Sequence, residues 1–136
     1  MRLELTKRAD YAIRAVVALA AAAPDRRLSV RQMAADHAIP VRFLPQVMAD
    51  LVGAGLVEGL TGRVGGYRLT RPAAAISVLE VIEAVEGDSR RRTCVLRGGA
   101  CRVGGACDVH HVFAAAQDGL IRQLGGASIA SLRRTA

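Results

Sequence analysis

Two matching helix starts constrain this chain more than anything else in it. In Leu28-Ser29 and again in Ile76-Ser77, a serine N-cap stands three residues before a Gln or Glu, Gln32 and Glu80. An apolar residue precedes each serine, and another follows four positions after it, Met33 and Val81. This is the capping box with its hydrophobic staple. The serine side chain takes an orphan backbone N–H, the N3 side chain returns the bond, and the two apolar groups fix the angle at which the chain enters the helix. Helices are therefore expected to begin at Ser29 and at Ser77.

The remaining elements fit around these two. A first helix is expected from the Thr6 N-cap to Ala23, ended by Pro24, with Ile13, Val16, Val17 and Ala20 on one face. The helix after Ser29 is short and stops near His37. Past a turn at Ala38 and Ile39, Pro40 opens a third helix in which Leu44, Val47 and Leu51 recur at helical spacing, with Gly53 and Gly55 at its end. Pro45, lacking an N–H, should kink or restart that helix near its first turn. Two short helices joined by a three- or four-residue turn outline a helix-turn-helix. Leu56 to Leu60 and Tyr67 to Thr70 then read as strands flanking a glycine-rich tip with Arg63, a hairpin placed as a wing. The Ser77 helix runs to Gly87. A last helix, capped by Asp108, is expected to reach Leu124 before Gly125 and Gly126, with Val109, Val112, Phe113, Ala116, Leu120 and Leu124 as an apolar seam.

Only 3% of the residues are aromatic and tryptophan is absent, a composition that suits closely packed helices rather than a β-sandwich. The expected fold class is mainly α: a winged helix-turn-helix domain over residues 1–87, a cysteine-rich loop over 88–107, and a dimerisation helix and tail over 108–136. About seventeen residues of helix give roughly 25 Å of apolar seam. Pairing with a second copy would bury that seam; folding back onto its own domain is the alternative.

A formal net charge of +7 calls for a polyanionic partner, and double-stranded DNA is the first candidate. Arg31, Arg42 and Gln46 lie on the outer side of the helix pair, where arginine can reach guanine O6/N7 and glutamine adenine N6/N7. Arg63 at the wing tip suits a narrow minor groove. Lys7, Arg8, Arg68 and Arg71 suit phosphates, which give affinity without sequence information. No Ser/His/Asp set, paired carboxylates or phosphate loop stands out, so an enzyme is not expected. Arg2, Lys7 and Arg8 ahead of the apolar run from Ala15 to Ala23 imitate a secretory leader, but Glu4 and Asp10 interrupt the basic region and Arg14 borders the apolar one. That run is far shorter than the ~20 residues needed to cross a bilayer. A cytoplasmic protein with no membrane partner is expected.

The three cysteines, Cys94, Cys101 and Cys107, crowd into one Gly/Arg-rich stretch, with six residues in the first gap and five in the second. The odd count argues against a closed disulfide framework, and the sulfurs can converge on one inorganic centre only if the loop wraps around it. Arg90, Arg91, Arg92, Arg97 and Arg102 among them would lower the thiol pKa values and offset an anionic centre. His110 follows Cys107 by three residues, so on a first helical turn the two side chains would face the same way. A structural zinc site, or bare thiols that sense oxidants through a disulfide, are the other readings of these residues.

In this order the pieces resemble the Rrf2 family of bacterial winged-helix regulators. The resemblance rests on Leu5-Thr6-Lys7-Arg8-Ala9-Asp10-Tyr11-Ala12-Ile13-Arg14-Ala15 and on the wing from Gly62 through Gly65-Gly66-Tyr67 to Pro72. It continues through Ile76-Ser77-Val78, Glu83 to Gly87, the cysteine loop and Ala127 to Leu132, nearly the whole chain. It implies a homodimeric transcription regulator, a repressor, that pairs through the long C-terminal helix and binds an operator. It also implies an iron–sulfur cluster on the cysteine loop, with 2Fe-2S favoured over 4Fe-4S, sensing redox state, nitric oxide or iron–sulfur status. Carried over by position, His110 matches a histidine ligand of the cluster-assembly regulators, and Asp10 matches a carboxylate that nitric-oxide-sensitive relatives supply from the partner subunit. Two departures stand out: relatives usually have five residues in each cysteine gap, and the recognition helix here contains Pro45. Thr61 also stands where many relatives have an arginine, so Arg63 is expected to take over that contact.

Overall fold

The computed structural model describes residues 4–23, 26–62, 65–89 and 107–132. The Thr6 hydroxyl accepts the Ala9 N–H at 3.1 Å, and from that cap α1 runs over Lys7–Ala21. It stops short of the expected Ala23, because Ala22 is already extended; α conformation is disfavoured at the pre-proline position Ala23. The buried stripe is also rotated from the expected one. Ala9, Ala12, Val16 and Leu19 enter the core, while Ile13, Val17 and Ala20 pack half-buried at its margin.

Both capping boxes form. Ser29 Oγ accepts the Gln32 N–H at 3.2 Å and Gln32 Oε1 accepts the Ser29 N–H at 2.8 Å, starting α2 (Val30–His37). Ala38 in the left-handed region (φ 53°) closes that helix, and Pro40 leads into a 3-10 turn over Val41–Phe43. The 3-10 turn passes into α3 (Leu44–Gly53), so the expected restart at Pro45 takes the form of a change of helix type. Pro45 lies in the first turn, where its missing N–H leaves no intrahelical bond unmade. Leu44, Val47, Met48 and Leu51 are buried.

Gly55 (φ 76°) reverses the chain into β1 (Val57–Leu60), which pairs antiparallel with β2 (Gly66–Leu69) in the register Val57↔Leu69, Glu58↔Arg68, Gly59↔Tyr67 and Leu60↔Gly66. Leu28 extends this ladder: its N–H donates to Tyr67 O at 3.0 Å and its carbonyl accepts the Tyr67 N–H at 2.8 Å. The wing is thereby tied to the entrance of α2. A short 3-10 turn over Ala73–Ala75 precedes α4 (Val78–Glu86), whose box links Ser77 and Glu80, and Gly87 (φ 91°) ends it.

The last helix, α5 (His110–Gly126), differs from expectation at both ends. Asp108 does not cap it. Val109 is the N-cap residue with no side-chain bond, and the His110 N–H closes a turn onto the Cys107 carbonyl at 3.2 Å. Gly125 and Gly126 continue the helix. Ala127 O then accepts the Val78 N–H at 2.9 Å and Ile76 O accepts the Ile129 N–H at 2.8 Å, docking a final 3-10 turn over Ile129–Ser131. Ile129 enters a core shared by α1, α3 and α4. No residue of α5 is buried.

Candidate nucleic-acid interface and metal centre

The apolar side of α3 faces the core, which turns Gln46 outward. Arg42, on the 3-10 turn before it, and Arg31, on α2, are exposed as well. The three lie where the helix pair was expected to read bases. The Arg42 guanidinium sits 4.9 Å from the centre of the Phe43 ring, which in turn meets Tyr11 of α1 at 5.2 Å. That stack gives Arg42 a fixed base while its donors stay exposed.

Several of the basic side chains expected at phosphates already hold carboxylates. Arg8 pairs with Asp50 of α3, and Arg68 with Glu58, its cross-strand neighbour in the wing. Arg71 donates to Ala75 O at 2.8 Å and to Glu80 Oε1 at 2.9 Å, clamping the wing's exit to α4. A phosphate contact by any of these would have to share or displace its partner. Among the described residues Lys7 and Arg31 form no ion pair. Arg63 lies outside the described residues.

Sequence reasoning did not single out Asp50. It accepts from Gln46 Nε2 at 3.1 Å as well as from Arg8. The i,i+4 spacing of Gln46 and Asp50 was the readable signal. Glu58 was equally legible once the hairpin register placed it opposite Arg68.

Of the candidate metal ligands, Cys94 and Cys101 lie outside the described residues, as do the arginines at 90–92, 97 and 102. Cys107 is a free, half-buried thiol in the turn ahead of α5, not on the helix itself, and His110 opens the helix. Their backbones are joined by the turn bond, and the His110 ring meets His111 edge-on at 5.8 Å. Asp10 accepts from Arg14 Nε at 3.1 Å, an i,i+4 pair on α1 with both side chains 44% exposed. Among the described residues no three His, Cys, Asp or Glu side chains converge as a metal site. None of their helices is long and apolar enough to cross a membrane.

A buried-faced helix pair with an outward α3, followed at once by a β-hairpin, defines a winged helix-turn-helix protein. The Rrf2 family, described as "Iron-dependent Transcriptional regulator", matches residues 5–135, and the chain belongs to that family. An HTH-type transcriptional regulator of Mycobacterium tuberculosis is 36% identical over 85 residues, 62% of this chain and 53% of that protein. The chain thus spans about half the length of that relative. A regulator from Azotobacter vinelandii is 33% identical over 130 residues, 96% of this chain and 79% of its own. In fold the chain is similar to CymR, described as the global cysteine regulator of B. subtilis, with a TM-score of 0.79 and 19% identity over 96% of this chain and 95% of that one.

Proposed function

We propose that this chain is a homodimeric, operator-binding transcription regulator, a repressor, whose DNA affinity is switched by an iron–sulfur centre on the cysteine loop. The outward face of Arg31, Arg42 and Gln46 above a buried Leu44-Val47-Leu51 face is the observation that carries the DNA half of this reading. Match to an iron-dependent family over residues 5–135 supports the other half. Arg42 and Gln46 read base edges in the major groove, Arg63 enters the minor groove from the wing, and Lys7, Arg8 and Arg68 steady the phosphates. On a two-fold operator each contact occurs twice.

The donors fit such a centre by their chemistry. Cys107 is unpaired with any other thiol and stands one turn before an imidazole, a soft thiolate beside a borderline nitrogen. Cys94, Cys101, Cys107 and His110 would hold the group, which supplies an electron-accepting or oxidant-labile centre when bound. Asp10 of the partner subunit is the other candidate for the fourth position. It would have to leave Arg14, whereas His110 forms no ion pair among the described residues. Residues 88–107 act as the sensing loop between the DNA-binding region, 1–87, and the dimerisation region, 108–136. The protein acts without catalysing a reaction, in the cytoplasm.

Anaerobic purification with a visible spectrum and iron and sulfide analysis tests the centre. A coloured protein that loses both iron and operator selectivity in Cys94→Ala and Cys101→Ala supports the reading. A colourless, zinc-loaded protein points to a structural site, and operator binding that responds to oxidant without iron points to bare thiols. Either result replaces the cluster.

A further inference from the structure

Asp50 of α3 uses both of its carboxylate oxygens, one toward α1 and one within its own helix. Oδ2 accepts from the Arg8 guanidinium, and Oδ1 accepts from Gln46 Nε2 at 3.1 Å. Its side chain is 22% exposed, less than half the exposure of Arg8 at 48%, so the carboxylate is the more enclosed partner. An ionised carboxylate only accepts, so the amide nitrogen of Gln46 must face it; turning the amide over would set oxygen against oxygen. Gln46 itself is exposed, so the rest of the amide remains available to a ligand.

A primary amide has two N–H groups. When Asp50 takes the one pointing away from the amide oxygen, the other N–H and Oε1 are left side by side on one edge. That edge is one acceptor beside one donor. Adenine presents the complement in the major groove, a donor at N6 beside an acceptor at N7, whereas guanine presents two acceptors at O6 and N7. A glutamine free to rotate can turn its nitrogen toward guanine; a glutamine held by an acceptor gives up that option. Asp50 would otherwise bring a bare negative charge to a face that meets phosphates, and Arg8 offsets it.

We propose that Asp50 is a specificity-determining positioning residue, which fixes the Gln46 amide in the one orientation that reads adenine. The inference rests on the reading of α3 as the base-contacting helix. It also gives Arg8 a second task, holding Asp50, beside its phosphate contact.

The test uses the full chain and a duplex recovered by the wild-type protein from a random-sequence pool. Each base pair of the half-site is substituted in turn, and affinities are measured for wild type, Gln46→Ala, Asp50→Ala and the double variant. Gln46→Ala should lower the A·T preference at one base pair per half-site by about ten-fold. Asp50→Ala should lower the preference at that same base pair by about three- to ten-fold, and the double variant should be no worse than Gln46→Ala. Preference is a ratio within one variant, so a smaller folded fraction does not alter it. If Gln46→Ala abolishes the preference and Asp50→Ala leaves it at the wild-type value, the positioning role is overturned while α3 remains the reading helix. If Gln46→Ala changes no base preference, the reading of α3 fails and the role of Asp50 fails with it.

Discussion

Glu80 shows how one side chain can be committed both to a helix and to its neighbour. Its Oε2 accepts the Ser77 N–H at 2.9 Å and its Oε1 accepts from Arg71 at 2.9 Å. The backbone bond from Ser77, then the Arg71 hydrogen bond, hold its carboxyl below the ordinary carboxylate range against a smaller opposing effect of desolvation. A carboxyl whose folded pKa is depressed adds stability above its unfolded value and loses it as the pH falls through the folded one. Glu80→Gln keeps the shape and removes the charge. Its deficit against wild type should be full at pH 7 and should shrink steadily below about pH 4. Urea midpoints measured from pH 7 to pH 3 would show this, and two parallel curves would exclude it. Ser77→Ala, which removes the reciprocal bond to the Glu80 N–H, should cost about 1 kcal/mol at neutral pH.

The wing's placement against α2 depends on Gly66. Gly66 has φ 145°, and a Cβ there would lie 2.8 Å from Leu28 O and 3.0 Å from Leu28 C, inside the bridge that ties β2 to the start of α2. Gly66→Ala should therefore destabilise the fold by about 1–3 kcal/mol and weaken operator binding more than it changes base preference. A thermal melt beside a binding titration checks both, and a variant as stable as wild type would show that the bridge yields at little cost. The contrast among the helix starts explains what was legible. Ser29 and Ser77 each have a Gln or Glu at the third helical position, and both boxes form as read. Asp108 has His111 in that place, which is not a Glu or Gln that could complete a box, and the helix begins later, off a turn at Cys107. Gly125 and Gly126 read as a stop but remain helical, since no positive φ is imposed there and the docked segment after Ala127 sets the end. The rotation of the α1 stripe was hidden for a related reason. Alanines at 9, 12, 15 and 18 give little hydrophobic contrast, yet they let α4 and α3 approach closely.

At the scale of the whole molecule, the C-terminal helix divides its apolar seam between two surroundings. Leu124 and Ala127 pack against the core of their own domain, and Gly125 lies beside Leu79 of α4, where a Cβ would sit 3.4 Å from its side chain in ordinary packing contact. The fold-back reading therefore holds at that end. Over the rest of its length the seam has exposed members: Val109 is 40% exposed, Val112 70% and Leu120 49%. Leu120 also lines an open groove with Leu5, Leu79 and Ile82, so the uncovered surface continues from α5 onto α4 and the approach to α1. A second copy related by a two-fold axis would cover this surface with the same surface, without needing any other partner. Replacing Val112 and Leu120 together with glutamate puts charge where that copy would lie and leaves the buried core unchanged. The variant should run as a monomer in analytical ultracentrifugation while keeping a cooperative thermal melt. Its affinity should fall far more for a two-fold operator than for an isolated half-site, because the link that lets the second winged domain bind at high effective concentration is gone. Equal losses on both duplexes would mean that each domain binds by itself, and a dimer that survived both substitutions would move the subunit contact away from this seam.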